Sequence, residues 1–128
     1  MQLEEITYQI IGCSMKIHNT LGNGFQEVIY QRCLNIELKK TGLQFGREVP
    51  QNIFYEGIHV GTRRADFTVE NRVIVELKAV INLENVHLVQ AKNYVVAYNF
   101  PVGLLINFGS TSLQYKKIFN PKKPGSGF

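Results

Sequence analysis

The strongest constraint on how this 128-residue chain can fold is a pair of strand-like runs held only three residues apart. They are Arg64-Ala65-Asp66-Phe67-Thr68-Val69 and Val73-Ile74-Val75-Glu76-Leu77-Lys78-Ala79-Val80, joined by Glu70-Asn71-Arg72. Side chains alternate faces along a strand. Ala65, Phe67 and Val69 therefore point one way in the first run, and Val73, Val75, Leu77 and Ala79 point one way in the second. A one-residue slip would mix apolar and charged positions on both faces. Merging the apolar faces instead predicts a hairpin that pairs Val69 with Val73, Phe67 with Val75 and Ala65 with Leu77.

The same register sets Asp66 across from Glu76, and Arg64 across from Lys78, with facing Cβ atoms about 5 Å apart. Two opposed carboxylates repel unless one is protonated or a cation lies between them. A hard divalent cation answers that repulsion. Mg²⁺ in particular is held by one or two carboxylates and keeps positions for water and phosphate oxygens. Lys78, two residues beyond Glu76 on the same face, can then neutralise phosphate charge or position an attacking water. The chemistry this suggests is phosphodiester hydrolysis. Spacing alone favours a solvated ion cluster of Arg64, Asp66, Glu76 and Lys78, since opposed charges on strands are common.

Around the hairpin the pattern alternates between helical and extended. Ile6, Ile10, Cys13, Ile17 and Leu21 recur at helical spacing over residues 6–21, and Gly22-Asn23-Gly24 interrupts them. A second helix is expected from Phe25 to Lys40, stopped by Thr41-Gly42. Strand formers Val49, Ile53, Tyr55, Ile58 and Val60 flank a turn at Glu56-Gly57. Residues 83–98 read as a helix capped by Asn82, followed by strands over 102–108 and 113–119. The expected order is α-α-β-β-β-α-β-β, an α/β fold with a mixed sheet flanked by helices. Residues 1–119 are expected to form a single domain, and 120–128, rich in Pro, Gly and Lys, a flexible tail.

A 45% hydrophobic content suits one core. The formal charge of +4 permits an anionic partner without requiring one. No run is long and apolar enough to span a bilayer, and the first residues lack a basic segment followed by an apolar one. A cytoplasmic protein with no membrane partner is the expectation. Cys13 and Cys33 have no zinc-site spacing and read as buried free thiols. His18 and His59 likewise lack metal-ligand spacing. Lys116-Lys117 and Lys122-Lys123 support nucleic-acid contact only weakly.

Asp66 followed by Glu76-Leu77-Lys78 resembles the signature of the PD-(D/E)XK nuclease superfamily, with Ala65 standing where that name has proline. Upstream, Gly24-Phe25-Gln26-Glu27-Val28-Ile29-Tyr30 reads as G-x-x-E-x-x-Y, the motif that names a prokaryotic family within it. Gln90 and Tyr94 resemble that family's Q-x-x-x-Y element, and residues 103–109 its following strand. The resemblance implies a restriction-endonuclease-like core and a nuclease acting on nucleic acid, DNA ahead of RNA. It implies Mg²⁺ as cofactor, with Mn²⁺ as a substitute, held by Asp66, Glu76, the Leu77 carbonyl and Glu27, and Lys78 assisting the nucleophilic water. Glu27, Asp66, Glu76 and Lys78 are the expected catalytic set. Gln90, Tyr94 and His87, which shares a helix face with Gln90, are the expected substrate contacts. A homodimer is expected by analogy alone. Two other readings remain: a nucleic-acid-binding module without turnover on the same fold, and a protein-interaction module in which the carboxylates only brace the hairpin.

Overall fold

The computed structural model describes residues 1–123. Its elements run α1 (Leu3–Leu21), α2 (Glu27–Thr41), β1 (Phe45–Arg47), β2 (Pro50–Tyr55), β3 (Ile58–Arg64), β4 (Phe67–Val69), β5 (Val73–Lys78), α3 (Asn85–Ala97), β6 (Val102–Asn107) and β7 (Gln114–Phe119). This is a mixed α/β fold with helices on both faces of a five-stranded sheet, ordered β1-β4-β5-β6-β7. β2 and β3 form a separate two-stranded sheet. The expected order undercounted the strands ahead of the last helix. The three-residue strand β1 carries no alternation to find, and the run expected to begin at Arg64 is divided between β3 and β4.

Periodicity explains both faces. Val73, Val75 and Leu77 of β5 and Val102, Leu104 and Ile106 of β6 bury against Ile6, Ile10 and Ile17 of α1 and Tyr30, Leu34 and Leu38 of α2. The alternate positions look toward α3, where Ile74 packs with Ala65, Val95 and Tyr98. β5 and β6 are parallel, with Val75 beside Leu104 and Glu76 beside Leu105. α3 is the crossover that parallel neighbours require. Gly103 lets it lie close, since a Cβ there would stand 2.5 Å from Val95 Cγ2.

The helix starts differ from expectation by a few residues, each for a local reason. α2 begins at Glu27 rather than Phe25 because Gln26 is extended and the Phe25 N–H donates to Tyr30 Oη at 3.1 Å. α3 begins at Asn85 with Glu84 as its cap, not Asn82. The Glu84 side chain accepts from the His87 amide while His87 Nδ1 accepts from the Glu84 amide at 2.9 Å. The Glu56-Gly57 turn is present, both residues having positive φ (50° and 77°).

Cys13 and Cys33 are free thiols but half-buried rather than buried. His18 is buried and donates through Nε2 to the Ser110 carbonyl at 2.9 Å. Asn120 is buried too, its amide donating to the Phe100 carbonyl at 2.9 Å, so the packed unit reaches at least that far. The part of the expected tail at 124–128 lies outside the described residues.

Candidate active site

The β4–β5 ladder pairs Val69 with Val73 and Phe67 with Val75, the register expected from the merged apolar faces. It stops there. Asp66 lies in a bend between β3 and β4, so Ala65 is not opposite Leu77 but turned to the α3 side of the sheet. Arg64 belongs to β3 and pairs with Pro50, not Lys78. The expectation treated residues 64–69 as one straight strand; the chain instead departs at Asp66 toward the β2–β3 hairpin.

Where the ladder ends, side chains take over its hydrogen bonds. The Asp66 N–H donates to Glu76 Oε1 at 3.1 Å, and the Leu77 N–H donates to Asp66 Oδ2 at 2.7 Å. Each carboxylate thus accepts from the backbone of the opposing segment, which fixes the two side by side. The remaining oxygen of Asp66, Oδ1, accepts from Gln31 Nε2 at 2.7 Å, and Gln31 Oε1 accepts from Arg47 Nε at 3.0 Å. Gln31 is a site residue that sequence reasoning missed, although it stands one helical turn after Glu27 on α2.

Electrostatics reflect this crowding. Glu76 is only 9% exposed. Burial, reinforced by the Asp66 charge, pushes its carboxyl up to about 8, against the pull of the Asp66 amide and of Lys78. Burial also raises Asp66, opposed by the Leu77 amide, Gln31 and Lys78. Glu27 is exposed along most of its length, yet loss of water around its carboxyl and the charge of Asp66 raise it, while Lys78 lowers it. The three carboxyls and Lys78 therefore share one electrostatic neighbourhood at the C-terminal end of β5.

Glu27 reaches this neighbourhood from the first turn of α2, and Tyr30 sets where that turn begins. Its hydroxyl donates to the Gly22 carbonyl at 2.6 Å and accepts from Phe25, while its ring stacks on Phe108 at 4.6 Å between centroids. The glycine, glutamate and tyrosine of the sequence motif thus include a structural clasp, Tyr30, beside the functional candidate Glu27.

On the α3 side, Glu76 and Lys78 open into a cleft of about 140 Å³, lined also by His87, Gln90, Ala91, Tyr94, Leu105 and Arg63. All three expected contact residues line it. Arg63 was not anticipated; its guanidinium lies 4.8 Å from the centre of the Tyr94 ring. No sequence signal identified it, because the facing of β3 is fixed only once the hairpin's position is known. The Lys116-Lys117 pair lies on β7 and does not line the cleft.

Among the described residues, no three His, Cys, Asp or Glu side chains gather into a ready-made metal cage. What the site offers is two adjacent hard oxygen donors, both raised by burial, with the Asp66 charge raising Glu76 further. A divalent cation that keeps several waters fits such a donor set.

The model of the PD-(D/E)XK nuclease superfamily matches residues 4–118. The chain belongs to this superfamily. Among solved structures, this superfamily member is similar to the crystal structure of SSO0001, with a TM-score of 0.60 and 20% identity over 73% of this chain and 50% of that one. The likeness concerns the fold, and the chain spans about half the length of that protein. Among curated proteins, none matches the chain. Enzymes of the PD-(D/E)XK superfamily generally use divalent metals. Among the described residues, no helix is long and apolar enough to cross a membrane.

Proposed function

We propose that this PD-(D/E)XK protein is a Mg²⁺-dependent nuclease, with DNA ahead of RNA as substrate, whose centre is Asp66, Glu76 and Lys78 assisted by Glu27. The observation that carries this reading is the pairing of the Asp66 and Glu76 carboxyls, each held by the other's segment, beside a cleft that Glu76 and Lys78 line. A structural ion cluster would place opposite charges in contact at the surface. Here a buried Glu76 stands beside a half-buried Asp66, both raised first by loss of water, which supports a site for a cation. The Gly24, Glu27 and Tyr30 spacing supports placing the chain in the G-x-x-E-x-x-Y family.

Asp66 and Glu76, with the Leu77 carbonyl between Glu76 and Lys78, would hold Mg²⁺ or Mn²⁺. When bound, the metal supplies charge for the phosphate oxygens and lowers the pKa of a coordinated water. Gln31 and the Leu77 amide hold Asp66 in one orientation, so its carboxylate needs no rearrangement to bind. Lys78 would orient the attacking water and balance the negative charge that develops on the phosphate oxygens as the P–O bond to the leaving oxygen breaks. Glu27, exposed at the edge of the same electrostatic neighbourhood, would add a third carboxylate for the metal and its waters. His87, Gln90, Tyr94 and Arg63 line the route of the substrate. Action on both strands of a duplex would call for a homodimer.

The test is cleavage of labelled single-stranded, duplex and branched oligonucleotides with Mg²⁺ or Mn²⁺. The expected result is metal-dependent hydrolysis that Glu76→Ala or Lys78→Ala lowers by at least about a hundredfold, with both variants still folded. Undiminished cleavage in both variants would overturn the mechanism. Salt-sensitive binding with no cleavage of any substrate would favour a binding module instead.

A further inference from the structure

The β2–β3 hairpin stands apart from the main sheet, paired only with itself, and leaves large apolar side chains in water. Phe54 is 60% exposed, Tyr55 67% and Ile58 66%. Its register sorts these residues onto two faces. Gln51 pairs with Arg63, Ile53 with Gly61, and, beyond an irregularity between Ile53 and Phe54, Tyr55 with Ile58. Facing partners share a side of the ribbon. Arg63 lines the Glu76–Lys78 cleft, so the face carrying Gln51, Arg63, Ile53, Gly61, Tyr55 and Ile58 is the inner face and continues out of the cleft. The outer face carries Asn52, Thr62, His59 and Phe54, tied together by the Thr62–Asn52 and His59–Thr62 hydrogen bonds and the Phe54–His59 ring contact.

We propose that the inner face of this hairpin is a track for a nucleic-acid strand with unpaired bases, leading it to or from the cleft. This rests on the nuclease reading and narrows its substrate class to single-stranded or forked nucleic acid. The chemistry changes along the face in the required order. At the cleft end, Arg63 offers a cation for phosphate, and beyond it Gln51 offers an amide. At the far end, Tyr55 and Ile58 offer an aromatic ring and an apolar surface, which engage the faces of bases that a duplex keeps stacked inside. A duplex backbone would call for basic side chains at the tip, but the turn there holds Glu56. A second copy of this chain would leave Arg63, at the cleft, without a purpose in the contact.

The test is fluorescence anisotropy of labelled single-stranded, forked and blunt duplex oligonucleotides with the full chain, Ca²⁺ replacing Mg²⁺. The comparison is wild type beside the inner-face variant Tyr55→Ala/Ile58→Ala, the outer-face variant Phe54→Ala and the ring-preserving Tyr55→Phe, each checked for folding by circular dichroism. The inner-face variant is expected to lose at least about tenfold in affinity for single-stranded and forked substrates. Blunt duplex binding, Phe54→Ala and Tyr55→Phe are expected to change little. Equal binding by inner-face variant and wild type, equal losses from both faces, or no binding by wild type would overturn the proposal. So would a wild-type dimer that the inner-face variant converts to monomer with nucleic-acid affinity unchanged, since the hairpin would then join copies of the chain. Metal-dependent cleavage abolished by Glu76→Ala is read separately. Cleavage with normal binding by the inner-face variant refutes the track alone, and ring-dependent binding without cleavage refutes the nuclease reading alone.

Discussion

Glu76 carries the most informative charge in the molecule. Its carboxyl is raised from an ordinary glutamate value to about 8 by burial and by Asp66, so the metal-free folded chain holds a proton there that the unfolded chain releases above about pH 4.5. Below that pH both states are protonated and the group is neutral to stability. Between about pH 4.5 and 8 the unfolded state gains by ionising, and the folded state loses up to about 5 kcal/mol relative to it. Glu76→Gln removes the titration while keeping an oxygen to accept the Asp66 N–H. In urea denaturation with EDTA, the variant is expected to match wild type near pH 4.5 and to exceed it by a few kcal/mol at pH 8. A difference independent of pH would place the Glu76 carboxyl in water rather than in the core.

At the scale of elements, the site depends on two placements. Tyr30 sets the start of α2 and with it the position of Glu27. Tyr30→Phe keeps the ring on Phe108 but strands the Gly22 carbonyl and the Phe25 N–H, and should cost about 1–3 kcal/mol in denaturant melts. An unchanged midpoint would remove the clasp from the account. Gly103 sets how closely α3 covers the sheet. Gly103→Ala drives a Cβ into Val95, and a loss of about 1–3 kcal/mol is expected, with a larger effect on KM than on kcat because α3 carries Gln90 and Tyr94. These elements were the legible part of the sequence. The Val73, Val75 and Leu77 alternation supplied the β4–β5 register, and the Ile6, Ile10 and Ile17 spacing supplied α1. Alternation could not reveal the bend at Asp66, because Arg64, Ala65 and Asp66 continue the same period while the backbone turns away. It could not reveal β1, whose three residues are too few to show a period.

For the molecule as a whole, the architecture brings α2, the end of β5, α3 and the base of the β2–β3 hairpin to one end of the sheet. Glu27, Asp66, Glu76, Lys78, His87, Gln90 and Tyr94 were named from motif and spacing, and the fold brings them to that end. Gln31, Arg47 and Arg63 were not, since their contribution is a contact between elements distant in sequence: α2 to the β3–β4 bend, β1 to α2, and β3 to α3. The central claim is that Asp66 and Glu76 together form a divalent-cation site. Its most direct test is calorimetric titration of Mn²⁺ and Mg²⁺ into wild type and Asp66→Ala at pH 8. Wild type is expected to show saturable binding with proton release, as a carboxyl raised to about 8 gives up its proton to the incoming metal. Asp66→Ala is expected to bind at least about tenfold more weakly. Superimposable isotherms for the two proteins, or no saturable heat from wild type with either metal, would contradict it.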